Sequence, residues 1–177
     1  MPFDAPISAE IWNAKYRFQS GDLGDETVEA TWARVATAIA AAEPTRARRH
    51  WRSEFETALS DFRFLPAGRI IAGAGTGRAV TLFNCFVMGT IPDNLDGIFE
   101  HLREAALTMQ QGGGVGMDFS TIRPAGAPVR GVGAQASGPL SFMDAWDAMC
   151  RTVMSAGQRR GAMMGCLRID HPDIEQF

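Results

Sequence analysis

The sequence has almost no lysine and no excess of positive charge. Lys15 is the only lysine, and 17 basic against 20 acidic residues give a formal net charge of -3. That balance offers no basic surface for wrapping a nucleic-acid polymer. The single lysine also excludes the Walker phosphate loop, which needs Gly-Lys-Ser/Thr. The abundant arginine suits phosphate or carboxylate recognition, although a compositional bias of the source is the simpler explanation.

Long apolar runs and cysteines are scarce as well. No stretch approaches the roughly 20 apolar residues that span a membrane, and the polar N-terminus lacks the apolar core of a secretory signal. The three cysteines, Cys85, Cys150 and Cys166, are odd in number and not closely paired. We therefore expect a cytoplasmic protein with reduced thiols and no membrane partner, and we assign no metal ligand.

The first sixty-odd residues predict a helical layer. A short helical stretch falls around Ile11–Phe18. From Asp25, a plausible N-cap, the apolar spacing predicts one helix, and a second carries Trp51, Phe55 and Leu59 on one side. The glycine-rich segment 65–77 predicts a loop that a helix could not tolerate. We place a boundary there, between a helical segment over 1–64 and an α/β segment over 65–177.

The α/β segment alternates strands and helices. We predict strands over Val80–Val87, Gly112–Phe119 and Ala162–Ile169, helices over 96–110 and about 140–156, and the start of another helix at His171-Pro-Asp-Ile-Glu. The first strand is apolar almost throughout, as is typical of burial on both faces. This order implies parallel pairing with right-handed crossovers. Three such strands leave an open edge, so we expect more protein beyond the C-terminus.

Two glycine-rich runs invite a nucleotide-binding interpretation. Gly73–Gly77 and Gly112–Gly116 both miss the Rossmann spacing. The second run indicates that a ligand or another backbone approaches closely, and ligand contact and tight packing explain it equally well. Cys85 lies mid-strand beside Asn84, and nothing local decides whether its thiol is structural or functional. Cys150 and Cys166 fit buried packing.

Polar residues in the loops leave similar alternatives. Arg123 and Arg130 lie in loop 120–138, and Arg159 lies in loop 155–161. Arginines beside glycines suit a polyphosphate, because guanidinium groups and free backbone N–H groups both match phosphate oxygens. For either loop alone, a solvated turn is the simpler explanation. Asp93 precedes a helix and could cap it or hold a sugar hydroxyl.

Five separate motifs stand in order along the chain. They are Leu65-Pro-Ala-Gly-Arg-Ile-Ile-Ala-Gly-Ala-Gly, Leu82-Phe-Asn-Cys-Phe-Val-Met, Gln110-Gln-Gly-Gly-Gly-Val-Gly-Met-Asp-Phe-Ser, Ala136-Ser-Gly-Pro-Leu-Ser-Phe-Met and Arg159-Arg-Gly-Ala-Met-Met. Together they closely resemble the class II ribonucleotide reductases, the adenosylcobalamin-dependent kind, and the similarity runs from about Ile7 to Phe177.

The resemblance implies a fold and a redox site. The fold is α/β, with an N-terminal helical layer followed by the first strands and helices of a ten-stranded α/β barrel, here incomplete. Cys85 would be one half of the thiol pair that supplies two electrons to a ribonucleotide. Asn84, Gly113 and Gly114 would line the substrate site. Adenosylcobalamin would be the cofactor and would need the rest of the barrel.

The resemblance also implies regulation and assembly. The two loops resemble specificity loops that bind a deoxynucleoside triphosphate effector. Arg123 and Arg130 would meet its phosphates and Asp93 its deoxyribose, while Gln158 and Arg159 would stand between effector and substrate. Helices 96–110 and 140–156 would form a homodimer interface, partly through their Met- and Ala-bearing faces.

The family's radical cysteine, its second redox cysteine and its acid-base residues would lie beyond Phe177. We therefore expect the isolated chain to be inactive and to need a complementary C-terminal reductase segment. Two alternatives stay open. One is an inactive dimeric module that binds deoxynucleoside triphosphates, and the other is a truncated, non-functional fragment.

Overall fold

The computed structural model describes residues 3–21, 23–131, 133–153 and 161–177. The chain folds into two compact units, Met1–Leu82 and Phe83–Phe177. The boundary placed after residue 64 marks the change in composition, whereas residues such as Ile71 and Ala74 pack with the helical layer. None of the helices in the described ranges has the length and apolar character needed to cross a membrane.

The part of the first unit that the structure describes is a layer of four helices with one short hairpin and a 3₁₀ turn. In chain order its elements are α1 (Pro6–Lys15), β1 (Gln19–Ser20), β2 (Leu23–Gly24), α2 (Val28–Ala40), α3 (Arg48–Leu59), the turn Ser60–Phe62 and α4 (Gly68–Gly73). Val28, Trp32 and Val35 recur at helical spacing and form the buried face of α2. This confirms the predicted helical layer.

Two details of that unit differ from the sequence-based expectation. Thr27, not Asp25, caps α2, since its side chain accepts from the Ala30 N–H. Asp25 is buried instead and binds Arg34 at 2.7 Å. The segment 65–77 does contain a helix, α4, because Pro66 precedes it and its glycines lie at its two ends, leaving Ile71 to enter the core.

In its described residues, the second unit is a three-stranded parallel sheet covered on one face by two helices. Its elements are β3 (Cys85–Val87), α5 (Leu95–Gln110), β4 (Gly114–Asp118), the hairpin β5 (Pro128–Val129) and β6 (Ala134–Gln135), α6 (Gly138–Thr152) and β7 (Met163–Cys166). The strand order is β3-β4-β7. Val115, Met117 and Phe119 pack against α5 and α6, with the Phe119 and Trp146 rings edge-to-face at 5.2 Å.

The sheet confirms the predicted parallel α/β arrangement and corrects its details. Of the predicted Val80–Val87 strand, Cys85–Val87 forms β3, and β3 is not buried on both faces, since Val87 is 96% exposed. Asn94 caps α5 by accepting from the Gly97 N–H at 2.9 Å, so Asp93 is not the cap. Residues 171–177 form successive tight turns rather than a helix. In the described part of the chain the sheet is open, an incomplete barrel.

Candidate functional site

The uncovered face of the sheet is built by the register of its strands. Cys85 pairs with Gly114 and Val87 with Gly116, while Gly116 pairs with Met164 and Asp118 with Cys166. Paired residues in a parallel sheet point to the same side. We call this side, which carries Cys85, Val87, Gly114, Gly116, Asp118, Met164 and Cys166, the open face. The helices cover the other side, where Val115 and Met117 are buried.

Cys85 lies exposed on the open face, next to bare backbone. A Cβ placed on Gly114 would lie 3.6 Å from the Cys85 Sγ, 3.5 Å from the Asn84 carbonyl oxygen and 3.4 Å from the Ala162 carbonyl oxygen. The Gly114 N–H donates to the Asn84 carbonyl at 2.8 Å. The structure therefore brings Cys85, Asn84 and Gly114 together, with an accessible thiol beside a glycine that leaves space above it.

Gly113 has a different environment from its neighbour. It is buried, and a Cβ there would lie 2.8 Å from atoms of both the Phe86 ring and the Thr108 side chain. Tight packing therefore explains why residue 113 is glycine. The sequence alone explained this glycine equally well by tight packing or by ligand contact. Gly114 retains the ligand-contact explanation, because it faces the open side.

The other two cysteines are not placed to pair with Cys85. Cys166 is exposed on the same face, but it lies two strands across and four residues further along. These offsets separate the two Cα atoms by about 16 Å, against the maximum of about 7 Å for a disulfide. Cys150 lies on α6, whose contacts are with the covered side. None of the three described thiols is disulfide-bonded.

Arg123 and Asp93, predicted to meet different parts of an effector, bind each other. The Arg123 Nε donates to Asp93 Oδ2 at 2.8 Å and its backbone N–H to Oδ1 at 3.2 Å. The two side chains are 33% and 34% exposed. Arg123 also donates to the Asp93 and Pro128 carbonyls, each at 3.2 Å. The pair has no net charge, and Asp93 holds a partly exposed guanidinium just before α5.

The remaining predicted effector residues are more dispersed. Arg130 is exposed in the turn that follows β5. Gln158 and Arg159 lie outside the described residues. Of the predicted effector residues, the structure therefore joins Asp93 with Arg123.

Sequence reasoning missed three polar side chains in this unit. Asp118, on the open face, accepts from the hydroxyl and the N–H of Ser120, and these hydrogen bonds lower the pKa of its carboxyl. His171 and Asp173 are buried and bind the loop that carries Arg123. Asp118-Phe-Ser120 has the spacing of an Asx turn, a signal that could have been noticed. The partners of His171 and Asp173 are about fifty residues distant, so no local pattern shows them.

The described residues contain no cluster of three or more His, Cys, Asp or Glu side chains that could hold a metal ion. The open face carries thiol, thioether, carboxylate and apolar groups, and no described histidine belongs to its strands. These groups do not constitute a corrin or cobalt site.

Two family models together match nearly the whole chain. Residues 3–79 match the all-alpha domain of ribonucleotide reductase, and residues 83–177 match the barrel domain of ribonucleotide reductase. The interval between the two matches contains the division between the two compact units.

Individual relatives are similar over most of the chain but are much longer. The vitamin B12-dependent ribonucleoside-diphosphate reductase of Mycobacterium tuberculosis is 42% identical over 158 residues, 89% of this chain and 22% of that protein. Its counterpart from Thermoplasma acidophilum is 39% identical over 72% of this chain and 16% of its own length. The ribonucleoside-diphosphate reductase alpha subunit of Chlamydia trachomatis is 31% identical over 86% of this chain and 14% of its own length.

Proposed function

This chain belongs to the ribonucleotide reductase family, with the helical and barrel domains of the large subunit, and on that premise we propose that it is the N-terminal part of a cobalamin-dependent ribonucleoside-diphosphate reductase. The relatives that carry the name vitamin B12-dependent support the class. The chain spans about a fifth or less of those relatives, and it would act with a complementary segment that completes the barrel.

The observation that carries the proposal is the exposed Cys85 thiol beside Gly114 on the open face. Replacing the 2′-hydroxyl of a ribonucleotide by hydrogen consumes two electrons and two protons, and the hydroxyl leaves as water. Two thiols supply both electrons and protons and become a disulfide. Cys85 would be one of them. Neither Cys166 nor Cys150 can be the other, so the partner thiol would come from the complementary segment.

The substrate would lie on the backbone at Gly114. The space above that residue would admit a ribose close to the Cys85 sulfur, and Asn84 would line the same site. Gly113 would contribute indirectly, since its packing against Phe86 and Thr108 holds the start of β4 in place. Cobalamin would be bound by the complementary segment, because no described residue of this chain forms a site for it.

Regulation would come from the loop that carries Arg123. We assign Arg123 and Arg130 to the phosphates of a deoxynucleoside triphosphate, and Asp93 to its deoxyribose or to holding Arg123. Gln158 and Arg159 would lie between the effector and the substrate. Helices α5 and α6 would form the homodimer interface.

A Cys85→Ser variant tests the redox assignment. The chain is combined with the complementary segment, adenosylcobalamin and a dithiol, and deoxyribonucleotide formation is measured. We expect the variant to abolish turnover, because a hydroxyl cannot form the disulfide. Cys166→Ser is the matched control, since it removes an exposed thiol from the same face and should retain activity. Full activity of Cys85→Ser would exclude the assignment.

A second candidate function is supported by the ordered Arg123–Asp93 pair, which the second unit forms by itself. In that case the chain would be a dimeric, non-catalytic module that binds deoxynucleoside triphosphates. Calorimetry of the chain with each of the four triphosphates, together with the turnover assay, separates the candidates. Binding without turnover in the complemented mixture would favour the module, and turnover would exclude it. If neither triphosphate binding nor turnover is observed, the result would favour the non-functional fragment.

A further inference from the structure

Two buried polar side chains follow the last strand and belong to neither the open face nor the Arg123–Asp93 pair. His171 and Asp173 are each 7% exposed. Burying a titratable side chain is costly unless hydrogen bonds compensate for the lost water. Both residues have such partners, and the partners lie in the loop that follows β4.

His171 binds this loop through one ring nitrogen. Its Nε2 lies 2.9 Å from the Ile122 carbonyl oxygen, and its Nδ1 accepts from the Asp173 N–H at 3.1 Å. Because Nδ1 accepts, the ring proton of a neutral imidazole is on Nε2, which donates to Ile122. The histidine thus ties the chain just before Arg123 to the segment after β7.

Asp173 binds the same loop on the other side of Arg123. Its Oδ2 accepts from the Ala125 N–H at 2.9 Å. A Cβ on Gly138 would lie 2.7 Å from that oxygen and 2.8 Å from the Ala125 nitrogen, so the first residue of α6 must be glycine for this hydrogen bond to fit. The carboxylate also lies at the positive end of α6, which favours its charge.

The consequence concerns the residue between the two contacts. Ile122 and Ala125 are one residue before and two residues after Arg123, and both are held by the segment 171–173. Arg123 is held in turn against Asp93 at 2.8 Å. We propose that His171 and Asp173 are positioning residues for Arg123, so that they set the affinity for a deoxynucleoside triphosphate without touching it. This inference depends on the effector role given to Arg123 under the proposed function.

The test compares aspartate variants by calorimetry of the full chain with dATP, dGTP, dCTP and dTTP. Asp173→Ala removes the acceptor of the Ala125 N–H, and we expect about tenfold weaker binding of whichever triphosphate binds the wild type. Asp173→Asn keeps an oxygen acceptor and should stay within about threefold of the wild type. Asp170→Ala is the matched control, because Asp170 is exposed and its side chain binds only the neighbouring Arg168 among the described hydrogen bonds.

Amide hydrogen exchange provides a readout that needs no ligand. Exchange at Ala125 should accelerate in Asp173→Ala and remain slow in Asp173→Asn and Asp170→Ala. If Asp173→Ala does not fold, His171→Gln, which retains a donor near the position of Nε2, is compared with His171→Phe, which retains none. Weaker triphosphate binding in the phenylalanine variant alone would support the proposal, and equal binding in both would refute it.

Arg123→Ala separates the failure of this inference from failure of the proposed function. If Arg123→Ala weakens triphosphate binding but Asp173→Ala does not, only the positioning role is wrong. Equal weakening by Asp173→Ala and Asp170→Ala would also overturn it, since a general charge effect would then be responsible. If Arg123→Ala binds like the wild type, or no triphosphate binds, the effector assignment and the positioning role both fail.

Discussion

Gly113 and Gly114 are neighbours, yet the structure needs glycine at the two positions for different reasons. Gly113 is enclosed by Phe86 and Thr108, whereas Gly114 faces the open side beside Cys85. A methyl group on Gly113 would clash with the covered side of the sheet. A methyl group on Gly114 would make ordinary contacts and would occupy the space proposed for the substrate.

This contrast leads to a prediction for two alanine variants. Gly114→Ala should unfold in urea like the wild type and raise KM about tenfold in the complemented reductase, because the methyl group displaces the ribose. Gly113→Ala should lower the free energy of unfolding by about 1–3 kcal/mol, as overpacking usually does, and should affect KM less. An unchanged KM in Gly114→Ala would show that the substrate does not lie there.

At the scale of elements, α5 presents an apolar stripe, interrupted by Arg103, that the rest of its unit does not cover. Leu95, Phe99 and Leu107 are 62%, 52% and 45% exposed and lie on one side of the helix, with the exposed Arg103 between Phe99 and Leu107. Met109 is fully buried, and Met143 and Met149 are partly buried against the core, so the most exposed apolar side chains of α5 are leucine and phenylalanine. The proposed dimer would therefore use the leucine and phenylalanine face of α5.

A charge placed on this stripe tests the dimer. Phe99→Glu should weaken self-association at least tenfold in sedimentation equilibrium, since it removes an aromatic contact and buries a carboxylate in an apolar interface. Glu104→Gln, on the same helix and also exposed, should leave it unchanged. A wild-type chain that is monomeric, or a Phe99→Glu chain that associates equally well, would contradict an α5 interface.

The six-residue α4 was missed and the helix expected from His171 is a series of turns, whereas the longer helices were predictable from sequence because their apolar spacing is local. Helix α5 begins within one residue of its predicted start. The strands were less so. The apolar run over Val80–Val87 predicted burial on both faces, but which face a helix covers depends on residues far along the chain. For the same reason the role of Asp173 was not predictable, because its hydrogen bond depends on the distant residues Ala125 and Gly138. Of the candidate site, Cys85, Asn84 and Gly114 came from the family resemblance rather than from spacing.

At the scale of the whole molecule, each compact unit has its own hydrophobic core, and the first unit also contains a buried ion pair. Arg34 donates to both Asp25 carboxylate oxygens and to the carbonyls of Ile71 and Ala74, so it joins α2 to α4. The side chains of Arg34 and Asp25 are only 10% and 5% exposed. Burial would raise the pKa of the Asp25 carboxyl, but hydrogen bonds from Arg34, Phe18 and Thr31, and the charge of Arg34, lower it.

This network predicts how the first unit responds to mutation and to acid. Asp25→Ala should lower its free energy of unfolding by about 3 kcal/mol, because the buried Arg34 charge loses its partner. Glu56→Gln is the control, since it breaks the exposed pair with Arg52 and should cost at most about 1 kcal/mol.

Because the folded pKa of Asp25 lies below its unfolded value of about 3.9, the stability that Asp25 contributes is complete above that pH and is lost as the pH falls through the folded pKa. Denaturation followed by tryptophan fluorescence of a Trp146→Phe chain reports on this unit, since the other three tryptophans lie in it and the Trp12 indole donates to Thr31, which binds Asp25. A wild-type loss of stability in acid that persists undiminished in Asp25→Ala would show that other groups are responsible.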